Sequence, residues 1–109
     1  MKVKVTRSYT FDIYVTGSRS AVEDYLQEYC MKNGFCFSII PLEYIYSGGK
    51  ESGYSVRIIN YARFPKGEEQ LEEIANHVAK KLIEKTNTWS ASVVTPTHSY
   101  YITQRDIDE

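Results

Sequence analysis

KVKVTRSYTFDIYV, residues 2–15, is the stretch whose reading decides the fold. Its odd positions are Val3, Val5, Arg7, Tyr9, Phe11, Ile13 and Val15, and its even positions are Lys2, Lys4, Thr6, Ser8, Thr10, Asp12 and Tyr14. Side chains of a strand alternate between its two faces, so this pattern gives one apolar face and one largely polar face. Fully extended, the stretch would span roughly 45 Å, well beyond an average strand. It holds neither Pro nor Gly, so both edges are free to pair. The expectation is a central strand.

Working outward, TGSRS is a turn, and Ser20-Ala21-Val22-Glu23 has the pattern of a capping box. Val22, Tyr25, Leu26, Tyr29 and Cys30 then recur at helical spacing, and Asn33-Gly34 is a stop signal, which predicts a helix over 20–33. FCFSIIPLEYIY (35–46) reads as a second strand whose apolar residues change phase at Pro41. A bulge there and an edge position are expected, because Pro41 cannot donate to a ladder. SGGKESG (47–53) reads as a flexible hairpin tip, and 54–64 as a third strand. That strand has Tyr54, Val56, Ile58, Ala62 and Phe64 on one face, and Ser55, Arg57, Ile59, Tyr61 and Arg63 on the other.

Pro65-Lys66-Gly67 interrupts, and 67–87 is the clearest helix, with Leu71, Ile74, Ala75, Val78, Ala79, Leu82 and Ile83 on one stripe. Its acids come first and its lysines last, opposing the helix dipole at both ends. A final strand over 89–103 is interrupted at Pro96, and 103–109 (TQRDIDE) is a polar tail, read as frayed. The order βαββαβ defines an α+β, ferredoxin-like two-layer sandwich over one domain, 1–109. The sheet order expected is 4-1-3-2, with strands two and four at the edges. Pro41 and Pro96 fall on those two strands, where a strand proline is tolerated.

A chain of 109 residues with 42% hydrophobic and 25% charged residues has the make-up of a soluble globular domain. A formal charge of -1 argues against attachment to nucleic acid or membrane by charge alone. No apolar run has the length of a membrane span, and MKVKVTRSY lacks a signal-peptide core, so a cytoplasmic location is expected. Cys30 is placed on the helix facing the core and Cys36 on the far face of the sheet, and both are read as reduced thiols. Ten tyrosines are the unusual feature. A Tyr pairs an apolar body with a polar tip and suits half-buried interfaces.

Chemistry-bearing motifs are few. His77 is expected on the solvent side of its helix beside Glu73, and His98 on an edge strand without metal-ligand partners. No nucleophilic triad, paired carboxylates or dinucleotide fingerprint occurs, and neither a metal nor a cofactor is expected. Gly48-Gly49-Lys50 lacks phosphate-loop spacing, and NGFCFSII (33–40) echoes an RNA-recognition signature with its aromatics turned inward.

The face away from the helices is more informative. It would carry Lys2, Lys4, Thr6, Asp12, Cys36, Ser38, Ser90 and Ser92, with a candidate binding surface of Tyr14, Ile40, Arg57, Ile59, Tyr61, Arg63 and Val94. The function expected is a non-enzymatic, regulatory module that binds a partner or a small anionic ligand and self-associates through its sheet. Single-stranded RNA or nucleotide binding on that face is one alternative, with Arg57 and Arg63 supplying charge. A small inhibitor docking on one target protein through an edge strand is another. An enzyme is expected only if subunits build a site between them, with His98 the first residue to test.

CFSIIPLEYIYSGGK (36–50) resembles the second strand of CutA-type divalent-cation tolerance proteins, relatives of the P-II group. Cys36, Ile39, Ile40, Pro41, Ile45, Tyr46 and Lys50 match as they stand. The tryptophan of that family's hairpin and its His-Pro-Tyr-Glu motif have no counterpart here. The resemblance implies a homo-oligomer, a trimer built by long strands, and carries no metal site to this chain.

Overall fold

Phe11, Ile13 and Val15 are buried while Asp12 and Tyr14 are half-buried, and this alternation marks β1, Thr10–Thr16. The computed structural model describes residues 1–105. The strand is shorter than expected: residues 1–9 belong to no strand, and Val3 and Val5 are 82% and 88% exposed. Alternation makes a strand only where a partner runs alongside, and here the partner ends. Asn60 takes over the pairing, its N–H donating to Tyr9 O (3.1 Å) and its Nδ2 to Arg7 O (2.9 Å) and Thr6 Oγ1 (3.2 Å).

Helix α1, Arg19–Asn33, starts at Ser18, whose Oγ accepts from Ala21 N at 3.4 Å. The expected capping box on Ser20 does not form, because Ser20 already lies inside the helix, and Glu23 pairs with Arg19 at 2.6 Å. Gly34 closes the helix in the left-handed region (φ 63°), and its N–H reaches Cys30 O at 2.8 Å.

Strands β2, Ser38–Tyr46, and β3, Gly49–Ile59, form one hairpin whose register runs unbroken from Ser38↔Arg57 to Tyr46↔Gly49. The bulge expected at Pro41 is therefore absent, and the flexible tip 47–53 shrinks to a turn at Ser47 and Gly48, with Gly48 at φ 93°. The phase change has another cause. Ile39 packs on the core, but the distal hairpin runs out past the helices, leaving Ile45 81% exposed. Leu42 and Tyr44 are half-buried instead on the opposite face.

Helix α2, Glu68–Thr86, buries Leu71, Ala75, Val78, Ala79, Leu82 and Ile83, and Asn87 ends it in the left-handed region. The last expected strand is two, β4 (Ser90–Val94) and β5 (Ser99–Thr103), joined by a turn. Thr95 builds that turn: its N–H donates to His98 O (2.8 Å), and its Oγ1 accepts from the backbone of Thr97 (3.2 Å) and His98 (2.9 Å). Pro96 sits in this turn and not on an edge strand. Residues 106–109 of the expected tail lie outside the described residues.

The sheet is antiparallel throughout, in the order β2-β3-β1-β4-β5. This corrects the expected order 4-1-3-2, because β5 flanks β4 and removes it from the edge. β1 is central as expected. The core joins Val22, Tyr25 and Leu26 of α1 and the α2 stripe to Phe11, Ile13, Val56, Ile58, Ala91 and Val93 of the sheet. An α+β arrangement of two helices on one sheet face follows, with the other face left to polar and aromatic side chains and to Ile40, Ile59 and Val94.

Candidate functional site

Pairing places the open face in rows. Tyr14 lies between Ser55 and Ser92, with Ile40 beyond one and Tyr101 beyond the other. The next row runs Ser38, Arg57, Asp12, Val94 and Ser99. Tyr14, Ile40, Arg57 and Val94 are thus brought together, and Ile59 follows on the same face at the end of β3, opposite Thr10. Tyr61 and Arg63 are not on the sheet. Tyr61 stacks at 5.3 Å on Phe64, and Arg63 O accepts from Lys4 Nζ at 3.2 Å. Lys2, Lys4 and Thr6 lie ahead of β1, and Cys36 precedes β2 as an exposed free thiol, not a sheet residue.

Arg57 is not a free charge either. Its Nε donates to Asp12 Oδ1 at 2.8 Å, and the same oxygen takes the Ser55 hydroxyl at 2.8 Å. Asp12 is the more shielded partner, and its hydrogen bond and charge raise the Arg57 pKa further.

Beside this pair, toward the far end of β1, the face opens into a cleft of about 400 Å³. Tyr14, Tyr44, Glu51, Trp89, Ser92 and Arg105 are among its walls. Tyr44 is held flat across the hairpin by its hydroxyl, which donates to Tyr54 O at 2.8 Å with Val15 O at 3.2 Å. Gly53 makes this posture feasible, since a Cβ there would lie against the Tyr44 ring and 2.5 Å from Val15 O. Burial is the main reason the Tyr44 phenol is pushed up to about 12.

Trp89 is exposed, with the Arg105 guanidinium 5.7 Å from its ring centroid. Gln104 ties this wall together, its N–H donating to Trp89 O (2.8 Å) and its Nε2 to Thr88 O (3.0 Å). Glu51 enters no ion pair among the described residues. Aromatic surfaces, one carboxylate and one guanidinium therefore meet in a single concavity.

Tyr44, Glu51, Trp89 and Arg105 were not among the residues expected from sequence. A bulge at Pro41 would have displaced Tyr44, and placing 47–53 in a loose tip removed Glu51 from the sheet. The lone Trp89 directly after α2 was the available signal.

The histidines stand apart from the cleft. His77 is exposed as expected, but it faces the Tyr29 ring (6.4 Å) and forms no ion pair with Glu73. His98 belongs to the β4–β5 turn, its Nδ1 2.7 Å from Thr97 Oγ1. Among the described residues no group of three or more His, Cys, Asp or Glu could hold a metal ion, and no helix is long and apolar enough to cross a membrane.

Solved structures with this fold include a phage SAM lyase in its apo state, at TM-score 0.68 and 18% identity over 92% of each chain. A phage SAM lyase in complex with S-methyl-5′-thioadenosine gives TM-score 0.67 and 19% identity, over 94% of this chain and 95% of that one. No protein-family model matches the chain, and no curated protein matches it. The likeness is one of fold.

Proposed function

We propose that this chain binds S-adenosylmethionine in the cleft between Tyr14, Tyr44 and Trp89 and cleaves it to S-methyl-5′-thioadenosine. The observation that carries this reading is the agreement of fold, across more than nine-tenths of both chains, with a SAM lyase that holds S-methyl-5′-thioadenosine. The cleft supports it. Its volume of about 400 Å³ suits a nucleoside with a short side chain. Aromatic faces suit both an adenine ring and a sulfonium cation. Glu51 can attract the sulfonium or accept from ribose hydroxyls, and Arg105 can pair with the substrate carboxylate.

The chemistry asks little of the protein in acids and bases. Forming the thioether breaks the bond between sulfur and Cγ of the methionine part, and the electron pair stays on sulfur. If the substrate's own carboxylate attacks Cγ, a five-membered lactone closes, no water enters and no proton moves. Two opposite charges disappear together, a change favoured where the dielectric is low. The protein's task is to hold the carboxylate behind Cγ and keep water away. The lack of a convergent acid–base pair, which argued for a non-enzymatic module, is therefore no argument against this enzyme.

Self-association over the open face belongs to the same proposal, because a covering subunit would dry the cleft; the trimer implied by the CutA-type resemblance is one such assembly. The RNA alternative has lost its charges, with Arg57 committed to Asp12 and Arg63 off the sheet.

Calorimetric titration with S-methyl-5′-thioadenosine tests the site. Saturable binding is expected, weakened about fivefold or more by Trp89→Ala, since stacking on an aromatic ring contributes about 1–3 kcal/mol. Ser99→Ala, on the open face outside the cleft, should bind as the parent does. No binding, or equal affinity in Trp89→Ala, overturns the assignment.

A further inference from the structure

Among the described residues, two apolar strips have no partner. One is the arm, residues 1–9, where Val3 and Val5 alternate with Lys2 and Lys4 in strand fashion while belonging to no strand. The arm is tied to the body by Asn60 and by Lys4 Nζ on Arg63 O, with a cavity of about 320 Å³ lined by Val5, Arg7, Tyr9 and Ile59 beside it. The other is the Ile45 face of the hairpin tip, where Ile45 is 81% exposed on an edge strand whose outer backbone groups face away from the sheet. Pro41 blunts that edge only at its own position, and Leu42–Tyr46 beyond it can still accept a strand.

The two strips cannot meet within one chain. The arm is anchored at Asn60, immediately after β3, and the tip lies at the start of β3, which has 11 residues. At the rise of a strand this puts them roughly 35 Å apart, at opposite ends of the sheet. Their charges match: the arm carries Lys2, Lys4 and Arg7 with no acid, and the tip carries Glu43 and Glu51 against Lys50. We propose that the arm of one copy docks as an added strand on the distal edge of β2 in a second copy, with Val3 and Val5 covering Ile45. The contact is head-to-tail, since the two surfaces differ, and it uses backbone pairing for affinity and the apolar strips for register.

This contact is separate from the open-face association, and its test reads how the mass responds to substitutions in the arm and the tip. Light scattering on the full chain at tens of micromolar should give more than one chain per particle. The double substitution Val3→Glu with Val5→Glu, and separately Ile45→Glu, should each lower that mass while the far-ultraviolet circular dichroism stays unchanged, because all three residues are exposed. Mixing the two variants should then raise the mass above that of either alone, as the intact arm of one finds the intact tip of the other. A monomeric parent, variants of unchanged mass, or a mixture no heavier than its components overturns the proposal.

Discussion

Asp12 lies at the middle of the sheet, and one of its carboxylate oxygens serves both the Ser55 hydroxyl and the Arg57 Nε–H. Asp12→Ala leaves both donors without that partner, and a loss of about 1–2 kcal/mol is expected in urea unfolding. Gly53→Ala should be costlier than its size suggests, about 1–3 kcal/mol, because the added methyl displaces the Tyr44 ring and presses on Val15 O.

The phenols give a pH signature. Burial is the main cause raising Tyr25, Tyr44 and Tyr61 to about 12. Between their ordinary value near 10 and about 12, the folded chain holds protons that the unfolded chain releases, so stability falls as pH rises through that window. Absorbance titration at 295 nm should show a group of tyrosines ionising late, and Tyr44→Phe should shrink that group. Little of this residue detail was legible beforehand. Alternation put Asp12 and Arg57 on one face, but which charge is taken depends on cross-strand register, and register is a tertiary fact.

At the scale of elements, caps and turns decided the departures from expectation. Ser18 and Ser20 both precede α1, and the residue three after Ser20 is a glutamate, so the sequence pattern favours Ser20. The helix instead begins at Arg19, which puts Ser20 in its first turn and leaves Ser18, in extended backbone, as the cap. Ser18→Ala should therefore cost about 1 kcal/mol in unfolding free energy, and Ser20→Ala should cost clearly less. The turn at Thr95-Pro96-Thr97-His98 was hidden for a similar reason. Its hydrogen bonds come from the Thr95 side chain, while the residues on either side keep a strand composition that reads as one interrupted strand.

For the whole molecule, the two helices and the one-sided roof were legible because they rest on burial periodicity, and the central position of β1 because neither Pro nor Gly interrupts it. The fifth strand and the cleft were not. The cleft is assembled from the overhanging hairpin, the Trp89 segment and Arg105, three pieces distant in sequence that register and a short tie through Gln104 bring together. Incubating the purified chain with S-adenosylmethionine and following S-methyl-5′-thioadenosine by mass spectrometry in H₂¹⁸O tests the central claim most directly. The account predicts release of the thioether with an amino-acid product that first appears as an unlabelled lactone. Absence of S-methyl-5′-thioadenosine above the rate of spontaneous decay, or solvent oxygen in the first product, would contradict it.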